Sequence, residues 1–149
     1  MKITVIAAGK IKTGPEADIV SEFTKRLPWQ ISFVEIEEKK PLPPAQKSES
    51  EGKKILAAIP EGAFAVALDK GGKTLSSEEF AKALEAWRGR GDIAFLIGGA
   101  DGLSDKVLAR ADAAISFGPM TFPHLLARAM LLEQLYRAHA ILSGHPYHK

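Results

Sequence analysis

Asp92-Ile-Ala-Phe-Leu-Ile-Gly-Gly-Ala-Asp-Gly102 is the stretch on which the fold turns. Its five consecutive apolar residues are too few for an ordinary helix and read as a buried strand. The run ends on Gly98-Gly99 with no polar spacer, and Ser104 then stands as the N-cap of a short helix reaching to about Ala111. A strand that empties into a glycine turn and then a helix is one repeat of an α/β pattern. The same pattern recurs on both sides of it.

Lys2 to Ala8 is a β-branched strand closed by Gly9, and from Gly14-Pro15 the residues Ala17, Ile19, Val20, Phe23 and Leu27 recur at helical spacing up to Pro28. Ile31 to Ile36 predicts a second strand. Glu37 to Pro44 is charged and then proline-rich, hence an exposed loop, and Gln46 to Ile59 predicts an amphipathic helix stopped by Pro60. Phe64 to Leu68 predicts a buried strand, with Asp69-Lys-Gly-Gly-Lys73 as its turn. Ser76, with acidic residues in the turn after it, launches a helix to Trp87. Ala113 to Phe117 closes the set of strands, and Phe122 to Ser143 is one long helix that Gly144 terminates. Strict alternation predicts a single α/β domain over residues 1–149. Its sheet is mainly parallel, helices cover both faces, and ligands are expected outside the carboxyl ends of the strands.

Composition narrows the function without naming it. With 46% hydrophobic residues in 149, the chain can bury one core. No apolar run is long enough to cross a membrane, and the apolar stretch in Met1–Gly9 is too short for a signal peptide, so a soluble, cytoplasmic protein is expected. There is no cysteine, which excludes disulfides, thiolate metal sites and a cysteine nucleophile. The four histidines, His124, His139, His145 and His148, have no metal-ligand spacing, so no metal is expected. A net charge of +2 allows a polyanionic partner without demanding one.

Three strand ends share one chemistry: Leu68-Asp-Lys-Gly-Gly72, Leu96-Ile-Gly-Gly-Ala-Asp-Gly102 and Phe117-Gly-Pro-Met-Thr121. Turns of this kind let backbone amides and carbonyls approach a ligand closely, and three at one sheet edge could hold a nucleoside through main-chain hydrogen bonds. Neither the G-x-G-x-x-G dinucleotide fingerprint nor a Walker loop is present, so a neutral or cationic nucleoside suits the edge better than a triphosphate. Thr121 predicts the N-cap of the last helix, placing His124 in its first turn, where the helix dipole favours a neutral imidazole. Along that helix Arg128, Glu133 and Arg137 interleave with an apolar face suited to the sheet or a second subunit, and Glu133 and Arg137 form an i,i+4 pair of the kind usually found on solvated faces. No G-x-S-x-G elbow supports a hydrolase.

The blocks Leu68-Asp-Lys-Gly-Gly-Lys73 with Ser76-Ser-Glu-Glu-Phe-Ala81, Phe95-Leu-Ile-Gly-Gly-Ala-Asp-Gly-Leu103, Met120-Thr-Phe-Pro-His124, Glu133-Gln-Leu-Tyr-Arg-Ala138 and His145-Pro-Tyr-His-Lys149 together resemble the RlmH family, the small SPOUT-class methyltransferases of bacterial ribosomes. The resemblance spans the whole chain. It implies a deep trefoil knot in the C-terminal part, a rare exception to unknotted chains. It also implies S-adenosylmethionine-dependent methylation of N3 of a pseudouridine in large-subunit ribosomal RNA on the assembled ribosome. Carried onto this sequence, it assigns cofactor binding to Leu68, Gly98, Gly99, Gly118, Pro119, Met120, Thr121, Phe122 and Pro123, and catalysis to His124, Arg137, Tyr147 and His148. Arg128 and Lys149 become substrate contacts, and the family's homodimeric assembly brings the tail of one subunit to the site of the other. Phe117-Gly118-Pro119 departs from the family pattern, and the proline stiffens that loop. The alternative is a catalytically inactive nucleotide- or ribosome-binding module of the same fold.

Overall fold

The computed structural model describes residues 1–149 and shows the expected alternation. In chain order the elements are β1 (Lys2–Ala8), α1 (Pro15–Arg26), β2 (Gln30–Ile36), α2 (Pro44–Ala58), β3 (Phe64–Thr74), α3 (Ser77–Arg88), β4 (Ile93–Ile97), α4 (Asp105–Arg110), β5 (Ala113–Ser116) and α5 (His124–Ser143). The five strands form one sheet in the order β2-β1-β4-β3-β5, every pair parallel.

Burial on both faces explains why the central strands are apolar at nearly every position. Successive side chains alternate between two cores. Ile3, Val5, Ala7, Phe64, Val66, Ile93, Phe95 and Ile97 pack beneath α1, α3 and α5 with Val20, Phe80, Leu84, Leu132 and Leu135. Ile6, Ala65, Ala94 and Leu96 point the other way, onto Ile55 of α2 and Val107 of α4. The first core holds most of the large side chains, and full burial of each stabilises the fold by about 1.5–3 kcal/mol. Truncating the fully buried Phe95 would cost about 3–5 kcal/mol.

Helix ends follow local chemistry. Ser76 and Glu79 form a reciprocal capping box that starts α3, and the Ser104 hydroxyl accepts from the Val107 amide to start α4. At the end of α5, Gly144 is left-handed at φ 74°, and the His145 and Gly144 amides return to the Ala140 and Ile141 carbonyls. This double return satisfies carbonyls that the last turn would otherwise leave open, and it aims the tail back along the helix.

Two local expectations are corrected. Thr121 does not cap α5; Pro123 occupies that position with no side-chain cap, and its carbonyl accepts from Ala127. Asp69–Lys73 is not a turn. The backbone stays in β3 to Thr74, slips register between Leu68 and Lys73, and resumes pairing with β5 at Lys73–Ile115 and Thr74–Ser116. Gly72 is needed for that resumption, since a Cβ there would lie 2.6 Å from the Ile115 backbone. No helix is long and apolar enough to cross a membrane.

Candidate functional site

The register slip of β3 and the carboxyl ends of β4 and β5 open into one cleft of about 720 Å3. Leu68 and Asp69 form one wall, Gly98–Gly102 the second and Phe117, Gly118 and Met120–Pro123 the third, with His124 and Ala127 closing the base. The three stretches read from the sequence as a shared edge therefore converge, and of the residues assigned above to cofactor binding all but Pro119 lie on this lining. The volume falls within the roughly 300–1,000 Å3 usual for small-molecule sites. Gly98 has no room for a side chain: a Cβ would lie 2.6 Å from the carbonyl carbon of Gly102 and 2.9 Å from the Leu103 amide. The loop thus folds flat against itself, held by the Gly102 amide donating to the Gly99 carbonyl. No cluster of three or more metal-ligating side chains is present.

His124, the first residue of α5, presents its ring to this cleft while packing on the end of β1. A Cβ on Gly9 would come within 2.8 Å of the His124 Nε2, so the imidazole fits only because residue 9 lacks one. Burial, reinforced by the charges of Arg128 and Lys47, holds His124 below its ordinary value. The direction is the one expected for a first-turn histidine, but burial leads its causes. The result is a neutral imidazole at the base of the cleft near pH 7.

Arg128, one turn further along α5, is 2% exposed rather than solvated. It donates to the Glu35 carboxylate at 2.6 Å and to the Gly9 carbonyl at 3.0 Å, and its Nε has no partner. Glu35 also accepts from the Ile11 amide at 2.8 Å. Burial pushes the Glu35 carboxyl up, but those two bonds outweigh it and leave the group below its ordinary value. The guanidinium thus ties α5 to β2 and to the end of β1, and it is committed inside the chain rather than offered to a substrate.

The remaining assigned residues gather elsewhere. The Tyr147 hydroxyl donates to Glu133 at 2.9 Å, its ring meets Tyr136 edge-on at 4.8 Å, and the Arg137 guanidinium lies 4.9 Å from the Tyr147 ring centroid. Arg137 grips the same Glu133 oxygen through two nitrogens and donates to His148 Nδ1 at 3.0 Å. Because a guanidinium only donates, Nδ1 accepts, which places the ring proton on Nε2; Nε2 in turn donates to Glu78 at 2.8 Å. Glu133 and Glu78 stand in blocks that carry the family resemblance, but their bonds to Tyr147 and His148 appear only once the tail returns along α5. Lys149 is exposed at the chain end. Along α5, at 1.5 Å per residue, His124 is about 14 Å from Glu133 and about 20 Å from Arg137. The tail cluster is therefore remote from the cleft of its own chain. Between them runs a mainly apolar groove of about 500 Å3, lined by Ile19, Phe23, Met130 and Glu133 and sharing Ile115, Ser116 and Phe117 with the cleft.

Residues 1–148 match the family model described as predicted SPOUT methyltransferase. The chain is similar to proteins named ribosomal RNA large subunit methyltransferase H: 50% identical to that of Paramagnetospirillum magneticum, over 100% of this chain and 99% of the relative. It is 47% identical to that of Rhodospirillum centenum and 48% to that of Stenotrophomonas maltophilia, with the same shares of both chains covered. Among solved structures, a probable methylase family protein from Haemophilus influenzae superposes with a TM-score of 0.59 over 99% of this chain and 70% of its own, at 12% identity. That likeness speaks for the fold.

Proposed function

Because the chain belongs to the SPOUT methyltransferase family, we propose that it transfers a methyl group from S-adenosylmethionine to large-subunit ribosomal RNA. The observation that carries this reading is the convergence of the β3 register slip and the loops after β4 and β5 on one cleft. Its residues suit the cofactor. The flat Gly98–Gly102 turn exposes main-chain groups to an adenosine, Leu68 and Phe122 supply apolar surface, and no basic cradle for a triphosphate is built in. When bound, S-adenosylmethionine supplies an activated methyl on a sulfonium. The finer reading is that the acceptor is N3 of a pseudouridine on the assembled ribosome.

That nitrogen carries a proton, which must leave as the new carbon–nitrogen bond forms. His124 is the neutral imidazole in the cleft and is suited to receive it. His148 is less suited as it stands, since Arg137 occupies Nδ1 and the proton on Nε2 is given to Glu78. Arg137 and Lys149 supply positive charge for the carbonyl and phosphate oxygens around the acceptor. Because about 20 Å of helix separates Arg137 from His124, the tail serves the cleft of a second copy, and the working unit is a homodimer packed along the apolar groove between α1 and α5. The C-terminal knot implied by the resemblance belongs to the same reading, with Gly118–Pro123 wrapping the cofactor.

Purified protein incubated with labelled S-adenosylmethionine should label large-subunit RNA of ribosomes lacking this modification, and should leave free RNA and separated subunits unlabelled. Cofactor binding without label on any RNA would overturn the enzymatic reading. Label on free RNA would overturn only the dependence on the assembled particle.

A further inference from the structure

Glu51 of α2 is a carboxylate that nothing above employs, and it is 7% exposed. Its two oxygens point at the back of the cleft wall: a methyl placed on Gly99 would lie 3.4 and 3.5 Å from them, and 3.6 Å from Ala8 Cβ. Neither a hydrogen bond nor an ion pair engages the group. Burial raises its pKa. Four charges face it at longer range. Lys47 and Lys54 of α2 favour the ionised form, while Asp101 of the β4–α4 loop and Glu38 of the β2–α2 loop oppose it. Lys54 is already engaged with Glu38 at 3.4 Å and with the Glu37 carbonyl. Arg128 Nε is the one fully buried side-chain polar atom without a partner, so the Glu51 oxygens keep some contact with solvent. A mostly buried carboxylate without a protein partner is still costly, and beside a cleft it is suited to pairing with a cationic ligand.

The placement says which ligand. Gly99 lies between the carboxylate and the cleft and has no side chain to screen it. The cleft rim adds Asp69 and Asp101 against a single lysine, Lys70. We propose that Glu51 is a specificity-determining residue: its charge, acting through the bare Gly99 wall, makes the cleft favour a sulfonium methyl donor over the neutral thioether left after transfer. This rests on the reading of the cleft as a site for S-adenosylmethionine. When the methyl leaves with its bond to nitrogen formed, sulfur keeps the electron pair and loses its positive charge. Glu51 then has no partner, and the spent product is held less tightly than the fresh donor.

The test is Glu51→Gln, which keeps the shape and removes the charge. Calorimetric titration should be run with three ligands: S-adenosylmethionine, S-adenosylhomocysteine, and the amine analogue bearing an ammonium in place of the sulfonium. The expected result is a loss of roughly tenfold to a hundredfold for the two cations, the effect of one charge about 12 to 6 Å away at an effective permittivity of about 20, and no change for the thioether. Without ligand, the variant should melt about 2–4 °C higher, because an unpaired buried charge has been removed. Equal losses for all three ligands, or no loss for any, would overturn the proposal, as would a lower melting temperature. Wild-type protein binding none of the three would overturn the cofactor reading and this one with it.

Discussion

Gly98→Ala is the substitution whose outcome the structure fixes most tightly. The added methyl would sit 2.6 Å from the Gly102 carbonyl carbon, where an ordinary contact begins at 3.4 Å, so about 0.8 Å must be recovered. The atoms in the way are backbone on both counts, the Gly102 carbonyl and the Leu103 amide, and no rotamer change relieves them. The turn itself must open. Overpacking of this kind costs about 1–3 kcal/mol, which in a domain of this length lowers the melting temperature by about 2–4 °C per kcal/mol. The functional effect should be larger than the thermal one. The displaced segment is the cleft wall, and misplacement of the order of 1 Å can lower catalytic efficiency about a hundredfold. Scanning calorimetry and titration with S-adenosylmethionine check both parts, and Gly102→Ala is the control. At φ 75° with nothing within 4 Å, Gly102 should show only the strain of a left-handed alanine, about 1 kcal/mol. Wild-type stability and affinity in Gly98→Ala would refute the argument that this turn is a rigid wall.

Three further outcomes follow from the described contacts. Arg128→Ala deprives Glu35 and the Gly9 carbonyl of a donor and should cost about 2–3 kcal/mol in urea unfolding, below the usual figure for a fully buried pair because Glu35 is 30% exposed. The Glu38 carboxyl is held down to about 2, against 4.5 ordinarily, by the Ser50 hydroxyl, the Lys40 amide and Lys54; its ionised form therefore stabilises the fold above about pH 4.5, and that contribution should be lost as pH falls toward 2, with Glu38→Gln flattening the melting curve across this window. Arg137→Ala should leave S-adenosylmethionine affinity unchanged and lower turnover by at least about a hundredfold, and mixing it with Gly98→Ala chains should restore part of the turnover, because a mixed pair keeps one intact cleft facing one intact tail cluster; no restoration would refute sharing of the site between chains.

Period and punctuation made the architecture legible. Apolar runs of five to seven residues ended by turn residues, and helical patterns bounded by Ser76, Ser104 and Gly144, placed each element to within about two residues of its true ends, except that β3 runs six residues past Leu68 to Thr74. What sequence reading missed depends on contacts far apart in the chain. Gly71-Gly72 looks like a turn because nothing local records that β5 returns beside it and needs Gly72 bare. Arg128 looks like helix decoration because its partners, Glu35 and Gly9, lie 93 and 119 residues away. Glu51 sits in a helix rich in charge, and only the fold shows that this one carboxylate is turned inward on Gly99. The cleft residues were readable because each loop carries its own glycine signature. The tail cluster was readable as a set of residues but not as a place.

The order of strands also bears on how the chain is made. β4 is the middle strand of the sheet, and its register with β1 pairs Ile3 with Ile93. During synthesis from the N-terminus, β1 can pair only with β2 until Ile93 has left the ribosome. At about 5–20 residues per second, that interval lasts several seconds. Through it, one long edge of Ile3–Ala8 stays open, and the large core has neither β4 nor α5 to close it. Joining segments so distant in the chain is slow even once both are available. The nascent protein therefore passes through a long aggregation-prone stage, and its yield should depend on holding chaperones more strongly than its small size suggests.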